Sequence, residues 1–595
     1  MDLRTLLRSW RGRQKPSLAA TEQTARAGAD NSCADELLRT GISQRQNARY
    51  QEALRNLTRA VELKHDCAEA HHNLGLVYFA QEQFEDSADC LQLATHFAPN
   101  STGAHLDLGA ALARLGRHGE AQAACQRALE IEPQSAKAWY CLGNVHKLDG
   151  ELERAVECYR AAIEHDPELS DAHCQLAFVL YKLGRYAESG ASHVVALRLK
   201  PDFAEVNHNL GLLRLETGYP EEALASFERA LELRPDTLVT QTCIAHALRD
   251  LGRIDEALAH YDRVLAQQPN FGDALINRCY ALLMRGDYAA GWAEYERRFA
   301  ATGAPMRGFP FPEWRGEPLA GKRILIYAEQ GLGDEIMFAS CVPDVLKRAG
   351  HVVIESNARL ASLFIRSFPQ ATIHGANKDE DHSWLQALPR IDFQISIGSL
   401  PLHFRGARED FPAHRGYLVA DAARVERWRT RLEVGGARLH VGIAWRGGSL
   451  RTRQFTRSLT LPQWKPLLAQ PDVGFVSLQY GQAVDDLAQL CDTHGVTVRS
   501  FAGEIADIDE LAAAIAALDL IISVDNTVAH LAGALGRPVW ILLPSAPEWR
   551  YLRSGGTMPW YPSARLFRQN RPREWETVIA ETAAAVRQVK GRPGV

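Results

Sequence analysis

The sequence predicts a chain of two fold classes. An all-α superhelix of stacked helix–turn–helix units is followed by an α/β half built from two doubly wound domains facing a cleft. Three observations predict this. Gly41, Gly75, Gly109, Gly143, Ala177, Gly211, Ala245 and Cys279 stand 34 residues apart. Pro99, Pro133, Pro167, Pro201, Pro235 and Pro269 recur at the same spacing, so a small residue and a terminal proline mark each unit. Near residue 300 the period stops, and apolar runs then alternate with glycine turns and polar strand ends.

Size and composition agree. A chain of 595 residues holds about three to six domain-sized units. Its 46% apolar content builds large cores and excludes a mainly disordered chain. With 67 basic and 72 acidic residues the formal charge is −5, so the chain lacks the basic excess of a nucleic-acid binder and no such partner is expected. The opening stretch, MDLRTLLRSWRGRQKPS, interleaves Arg4, Arg8, Arg11 and Arg13 with Leu3, Leu6, Leu7 and Trp10. It lacks the apolar core of a signal peptide. We read residues 1–33 as a cap or flexible segment, with contact to a membrane surface as the other reading. No run reaches about 18 uncharged apolar residues, so no transmembrane segment is expected. Nine of the 11 cysteines precede residue 300, without a CxxC pair or ligand spacing with histidine. Reduced thiols, no metal site and a cytoplasmic protein are the expectations.

The repeat half spans residues 34–304, with units starting at 34, 68, 102, 136, 170, 204, 238 and 272. Residues 136–169 show the pattern. Trp139, Leu142 and His146 share one face of the first helix, and Gly143 lets the second helix approach closely. Gly150 ends the first helix. Ala155, Tyr159 and Ala162 form the mating face of the second, and Pro167 stops it. This pattern resembles the tetratricopeptide repeat, which implies stacked units with a concave inner surface. Two residues before each small residue stand Arg39, Asn73, Asp107, Cys141, Gln175, Asn209, Cys243 and Asn277. In tetratricopeptide superhelices this position lines the groove, where amides can bond an extended peptide backbone. The other reading is ordinary solvated surface. His71, His72, His105, His146 and His208 are expected to pack or face solvent. The last unit lacks its closing proline, and GWAEYERRF (291–299) reads as a junction to the second half. Residues 305–320, rich in proline and aromatics, read as an ordered connector.

The α/β half opens on RILIYA (323–328), a buried strand running into EQGLGDEIMFAS (329–340). Gly331 and Gly333 permit a tight turn and place Asp334 at the opening of a helix, at the carboxyl end of the strand. Further strands are expected at 351–356, 371–375 and 391–397, with a helix at 359–368, giving a first domain over 321–430. A second domain, 431–595, begins with the strand 439–445. It continues through strands 473–479, 496–500, 520–524 and 538–544 and helices 508–518 and 527–536. Its first loop, WRGGSLRTRQFTRSLTL (445–461), carries Arg446, Ser449, Arg451, Arg453, Arg457 and Ser458, a set suited to a phosphate-rich ligand. Arg457 is expected to be an exposed cleft arginine. The second loop, VDNTVAHLAGALG (524–536), sets Asp525, Asn526 and Thr527 before a helix N-terminus that offers N–H groups to an anion. His530 lies about one turn along.

At EQGLGDE, at DLIISVDNTVAHLAGALGRPVWILLP (519–544) and in the spacing between them, the chain resembles GT-B glycosyltransferases. Within these it is most similar to the ADP-heptose:lipopolysaccharide heptosyltransferase family. The resemblance implies two Rossmann-like domains, Asp334 as catalytic base, and Asp525 and His530 at the donor site. It also implies inversion at the anomeric carbon. The family often uses a lysine after the second domain's first strand, whereas this chain has arginines there. The order of repeats and GT-B half resembles O-linked N-acetylglucosamine transferases, in which the repeats recruit a polypeptide.

The functional expectation is a glycosyltransferase moving a sugar from a nucleotide-sugar to a protein or peptide held by the repeats. Asp334 would take the acceptor's proton. Arg446, Ser449, Arg457, Ser458, Asp525, Asn526, Thr527 and His530 would bind the donor, a co-substrate, with no other cofactor and no metal. Should Asp334 not be the base, Glu329 and Glu335 are the nearest candidates. Two other readings stand beside this one: transfer to a glycan or lipid-linked acceptor, and a non-catalytic scaffold with a degenerate GT-B half. A homo-oligomer is compatible with each.

Overall fold

Helices alternate with tight turns along the first half of the computed structural model. It describes residues 23–303, 307–329, 331–376, 381–434, 436–448, 453–479, 486–488, 490, 496–501 and 503–590. The chain divides into two compact units, Met1–Asp202 and Phe203–Val595. In the first unit the helix pairs are Gln23–Gln46 with Tyr50–Leu63, Ala68–Ala80 with Phe84–Phe97, Thr102–Arg114 with His118–Ile131, Ala136–Leu148 with Leu152–His165, and Ser170–Lys182 with Tyr186–Leu199. The second unit opens with Ala204–Glu216 and Pro220–Leu233, Leu238–Asp250 and Ile254–Gln267, and Gly272–Arg285 and Tyr288–Tyr295. All eight expected pairs form. The first described helix starts at Gln23, within the stretch read as a cap, whereas the basic and aromatic stretch 1–17 lies outside the described residues.

Where the small residue of a unit is glycine, what faces it leaves no room for a side chain. A Cβ on Gly143 would lie 2.7 Å from the Tyr159 ring, and one on Gly75 would lie 2.5 Å from Leu91. We expect Gly143→Val to cost roughly 1–3 kcal/mol by overpacking, read as a lower denaturation midpoint. The histidines also have structural partners. The rings of His71, His105 and His173 bond the carbonyls of His65, Pro99 and Pro167, six residues back, at 2.9, 3.1 and 3.1 Å. Trp139 does the same with Pro133 at 3.1 Å. His72 pairs with Asp107, His146 with Glu151 and His208 with Thr240.

The groove amides are partly engaged already. Asn73 donates to Glu69 O at 2.8 Å and accepts from Arg45 Nε at 3.0 Å. Asn277 repeats this with Asp273 O and Arg249, both at 2.8 Å, and Gln175 accepts from Lys147 at 2.6 Å. In these three, a cation 28 residues earlier holds the amide oxygen.

The second unit continues into two parallel sheets. The first contains β1 (Arg323–Tyr327), β2 (His351–Asn357), β3 (Thr372–Ala376) and β4 (Phe393–Ser396), in the order β3-β2-β1-β4. The second contains β5 (Leu439–Ala444), β6 (Val473–Ser477), β7 (Arg499–Ser500), β8 (Leu520–Val524), β9 (Val539–Leu543) and β10 (Ala564–Arg568), in the order β10-β9-β8-β5-β6-β7. β8 and β9 are buried throughout, as parallel strands covered on both faces must be. The fold is thus helical repeats followed by paired α/β domains of the GT-B class. The sequence reading named neither β10 nor the helix Trp575–Lys590 that packs beside Trp464 and Leu467. The helix Ala422–Glu433 spans the expected boundary at 430/431. It packs on Ile508–Ala517 of the second sheet, with Trp428 Nε1 donating to Glu510 at 2.8 Å.

Residues 291–299 join the repeats to both sheets. Trp292 Nε1 donates to Arg405 O at 2.9 Å, and its ring meets those of Phe338, Trp549 and Trp560 edge-on. Arg298 is bonded to both oxygens of Glu329, just beyond β1, and to Ser396 and Ser399 at the end of β4. The connector then runs along β4: Trp314 N donates to Gln394 O at 2.8 Å, and Gln394 N to Pro312 O at 2.9 Å. Residues 304–306 lie outside the described residues.

Candidate active site

Each sheet has a point where strand order reverses, beside β1 in the first and between β5 and β8 in the second. Loops diverge at such points and leave a crevice at the carboxyl ends of the strands. A cavity of about 1060 Å³ lies there, bordered by the loops after β1, β5, β8 and β9. Part of its wall comes from the repeats of the same unit, including His246, Arg249, Asn277 and Tyr280.

The loop after β1 enters the helix Leu332–Phe338 through Gly331, and Asp334 is the third helical residue, facing the cavity. Gly333 abuts His530, whose ring would lie 3.1 Å from a Cβ there. After β8, Asn526 caps the helix Thr527–Ala534 by accepting from Val528 N at 3.0 Å and Ala529 N at 3.3 Å. Its amide also donates to Arg446 O at 3.0 Å, stitching the β8 loop to the β5 loop. Gly447 makes that approach feasible, since a Cβ would sit 2.3 Å from Asp525 O.

The structure brings Asp334, Arg446, Arg457, Asp525, Asn526, Thr527 and His530 to one cavity. It corrects several details. Arg457 is buried, 8% exposed, because its guanidinium pairs with Asp525 at 2.6 Å and faces Glu548 at 3.5 Å. Replacing it would therefore strand a buried carboxylate. Arg446 borders the cavity, but its guanidinium pairs with Asp486. Ser458 is not among the lining residues; its hydroxyl accepts from Gly447 N at 3.1 Å and so holds the β5 loop. Ser449 and Arg451 lie outside the described residues. Glu329 and Glu335 do not border the cavity. The first is committed to Arg298, and the second accepts from Asn357 N at 3.0 Å.

Sequence reasoning missed Arg550 and Glu548, on the loop after β9. Arg550 Nη2 lies 2.7 Å from Asp334 Oδ1, and its Nη1 lies 3.8 Å from Asp525 Oδ2. A basic residue one loop beyond the next parallel strand was the available signal. Arg453, which holds a left-handed backbone with φ 54°, pairs with the buried Asp250 of the repeats.

These neighbours set the charge states. Burial raises the Asp334 carboxyl above its ordinary value, with Asp525 and Glu548 adding to it and Arg550 opposing. Burial works the same way on Asp525, but Arg550 and Arg457 outweigh it and hold that carboxyl low. His530 is pushed down to about 3 by burial and by Arg550, so the ring is neutral at physiological pH. Its Nδ1 bonds the Tyr561 hydroxyl at 3.0 Å. The site thus sets one proton-avid carboxylate opposite arginines and the N-terminus of a helix.

Comparison with known proteins places both halves. Tetratricopeptide-repeat models match residues 45–81, 102–145, 136–169, 158–191, 204–237 and 244–305. The model for glycosyltransferase family 9 (heptosyltransferase) matches residues 481–578, a span holding Asp525, His530 and Arg550 but not Asp334. Protein FlbA of Caulobacter vibrioides is 36% identical over 326 residues, covering 52% of this chain and 54% of FlbA. The chain therefore spans about half the length of that curated relative. Among solved structures, a tetratricopeptide protein titled YrrB, described as having an unusual peptide-binding site, aligns with 31% of this chain and 95% of its own, at 19% identity and TM-score 0.25. PilF of Pseudomonas aeruginosa aligns with 36% of this chain and 97% of its own, at 17% identity and TM-score 0.32. Among the described residues no helix is long and apolar enough to cross a membrane. The chain carries tetratricopeptide repeats across its N-terminal part and a glycosyltransferase family 9 (heptosyltransferase) domain at its C-terminal end.

Proposed function

We propose that this cleft transfers a sugar from a nucleotide-sugar to a hydroxyl of a protein or peptide guided by the repeats, in one inverting step without a metal. The observation that carries the reading is the shared cavity. Asp334, Arg457, Arg550 and the opening of the helix Thr527–Ala534 border it on one side, and the repeat residues Asn277 and Tyr280 on the other. The acceptor oxygen attacks the anomeric carbon while the bond from that carbon to the diphosphate oxygen breaks. Asp334 takes the acceptor's proton. The electron pair leaves with the diphosphate, whose charge is met by arginine guanidinium groups and helix N–H groups. Protein cations thus supply the charge that a metal supplies elsewhere, and the nucleotide-sugar is a co-substrate, with no further cofactor. Repeat residues in the cavity wall favour a polypeptide over a glycan or lipid-linked acceptor, because they put the acceptor groove beside the donor.

A screen of nucleotide-sugars for thermal stabilisation tests this. The right donor at 100 times its Kd should stabilise the native state by about 2.7 kcal/mol. If no nucleotide-sugar raises the melting temperature, the reading fails in favour of a scaffold.

A further inference from the structure

A base waiting to take a proton is poorly placed beside a cation, because a neighbouring positive charge lowers a carboxylate's proton affinity. Yet Asp334 is in direct contact with Arg550 at 2.7 Å. The arginine side chain is 13% exposed, and among the described residues its Nε has no hydrogen-bond partner. Arg550 starts from the loop after β9 of the second sheet and reaches the helix that follows β1 of the first. Arg457 does not do this: its partners Asp525 and Glu548 both belong to the second sheet. Around Asp334 stand Arg550, Asp525, Glu548, His530 and the hydroxyls of Tyr280, Tyr295 and Tyr561. Arg550 is thus the cation in this set that both the base and an anion at the Thr527 helix can claim.

We propose that Arg550 is a further member of the transfer machinery, shared between base and donor. It holds Asp334 in an ion pair before the donor binds, then turns to the donor's diphosphate and leaves Asp334 to take the acceptor's proton. The inference rests on the nucleotide-sugar reading above. A diphosphate offers a guanidinium two or more oxygens in the planar, bidentate geometry it prefers, and carries more charge than one carboxylate. Release then raises the proton affinity of Asp334 when an acceptor needs a base, so activation of the acceptor follows donor binding. Each ligand therefore strengthens the other's binding by the same factor.

The test titrates the full chain with ADP, GDP, UDP, CDP and inorganic pyrophosphate by calorimetry at mildly acidic pH. Buffers of different ionisation heat then count the protons taken up. Freed from Arg550, Asp334 gains proton affinity, so the wild type takes up protons on binding. Asp334→Asn takes up none. Arg550→Gln binds roughly 10- to 100-fold more weakly. It also takes up fewer protons, because its Asp334 has no cation to lose. Arg550→Lys restores much of the uptake. Binding without uptake by the wild type overturns the proposal, as does undiminished uptake by Arg550→Gln. If Arg550→Gln does not fold, uptake by the wild type that persists in Asp334→Asn overturns it instead. Should none of the probes bind, the nucleotide-sugar reading falls and takes this inference with it.

Discussion

Asp334→Asn is expected to bind the donor at least as tightly as the wild type, since the carboxylate that competes for Arg550 is gone, while turnover falls by roughly 100- to 10,000-fold. Asparagine keeps the shape and can still accept from Arg550, so the contact between the two sheets survives. The helix does not depend on this carboxylate for its cap, because Gly331 occupies the cap position without a side-chain bond. What is lost is a basic oxygen at the cavity wall. Burial raises that carboxyl in the folded protein, so it is protonated at pH values where a free aspartate is already ionised. As pH rises through that raised value the base becomes available. The acid limb of the wild-type pH–rate profile should therefore lie above about 3.9, the ordinary aspartate value, and should vanish in the variant's residual activity. Near-normal transfer by a folded Asp334→Asn protein would rule out the role, and the committed contacts of Glu329 and Glu335 leave Glu548 as the carboxylate to examine next.

The largest effect on stability is expected at Arg298. Arg298 and Glu329 are each 5% exposed, and the arginine also serves Ser396 and Ser399. Arg298→Met leaves Glu329 buried without its cation, a change that costs about 3–5 kcal/mol. Burial already pushes the Glu329 carboxyl upward despite Arg298, so the variant protein will bind a proton there to escape the uncompensated charge. Its deficit should shrink as pH falls. Combining Arg298→Met with Glu329→Gln should recover part of the loss. A melting temperature unchanged in Arg298→Met would show that the pair contributes little and that Trp292 and its aromatic neighbours carry the junction alone.

Much of this was legible before any coordinates. The repeats announce themselves because a small residue on the first helix meets a side chain of the second, as Gly143 meets Tyr159 and Gly211 meets Phe227, and the spacing of 34 carries that position through every unit. The loops after β1, β5 and β8 were legible because glycines and caps cluster at reversals of strand order. Arg550 was not, because its partner Asp334 is 216 residues away and no spacing encodes such a contact. β10 and the helix Trp575–Lys590 were missed because residues 545–563 hold aromatics and prolines at no regular period. The burial of Arg457 was hidden for another reason. A basic loop reads as solvated until the acids that neutralise it, here Asp525 and Glu548, are placed around it.

Tyr280, on a repeat helix, stacks on Trp549 with ring centroids 6.2 Å apart and 6° between planes, next to Arg550. This contact sets how the protein can be dissected. An enzyme trimmed to the α/β half at residue 305 would lose one wall of its own cavity, bare Trp549 and Trp560, and leave Glu329 without Arg298. The smallest active fragment should therefore begin at the sixth repeat, near Phe203. An exchange of repeats that is to keep the cavity intact should likewise fall upstream of that residue and leave the last three in place.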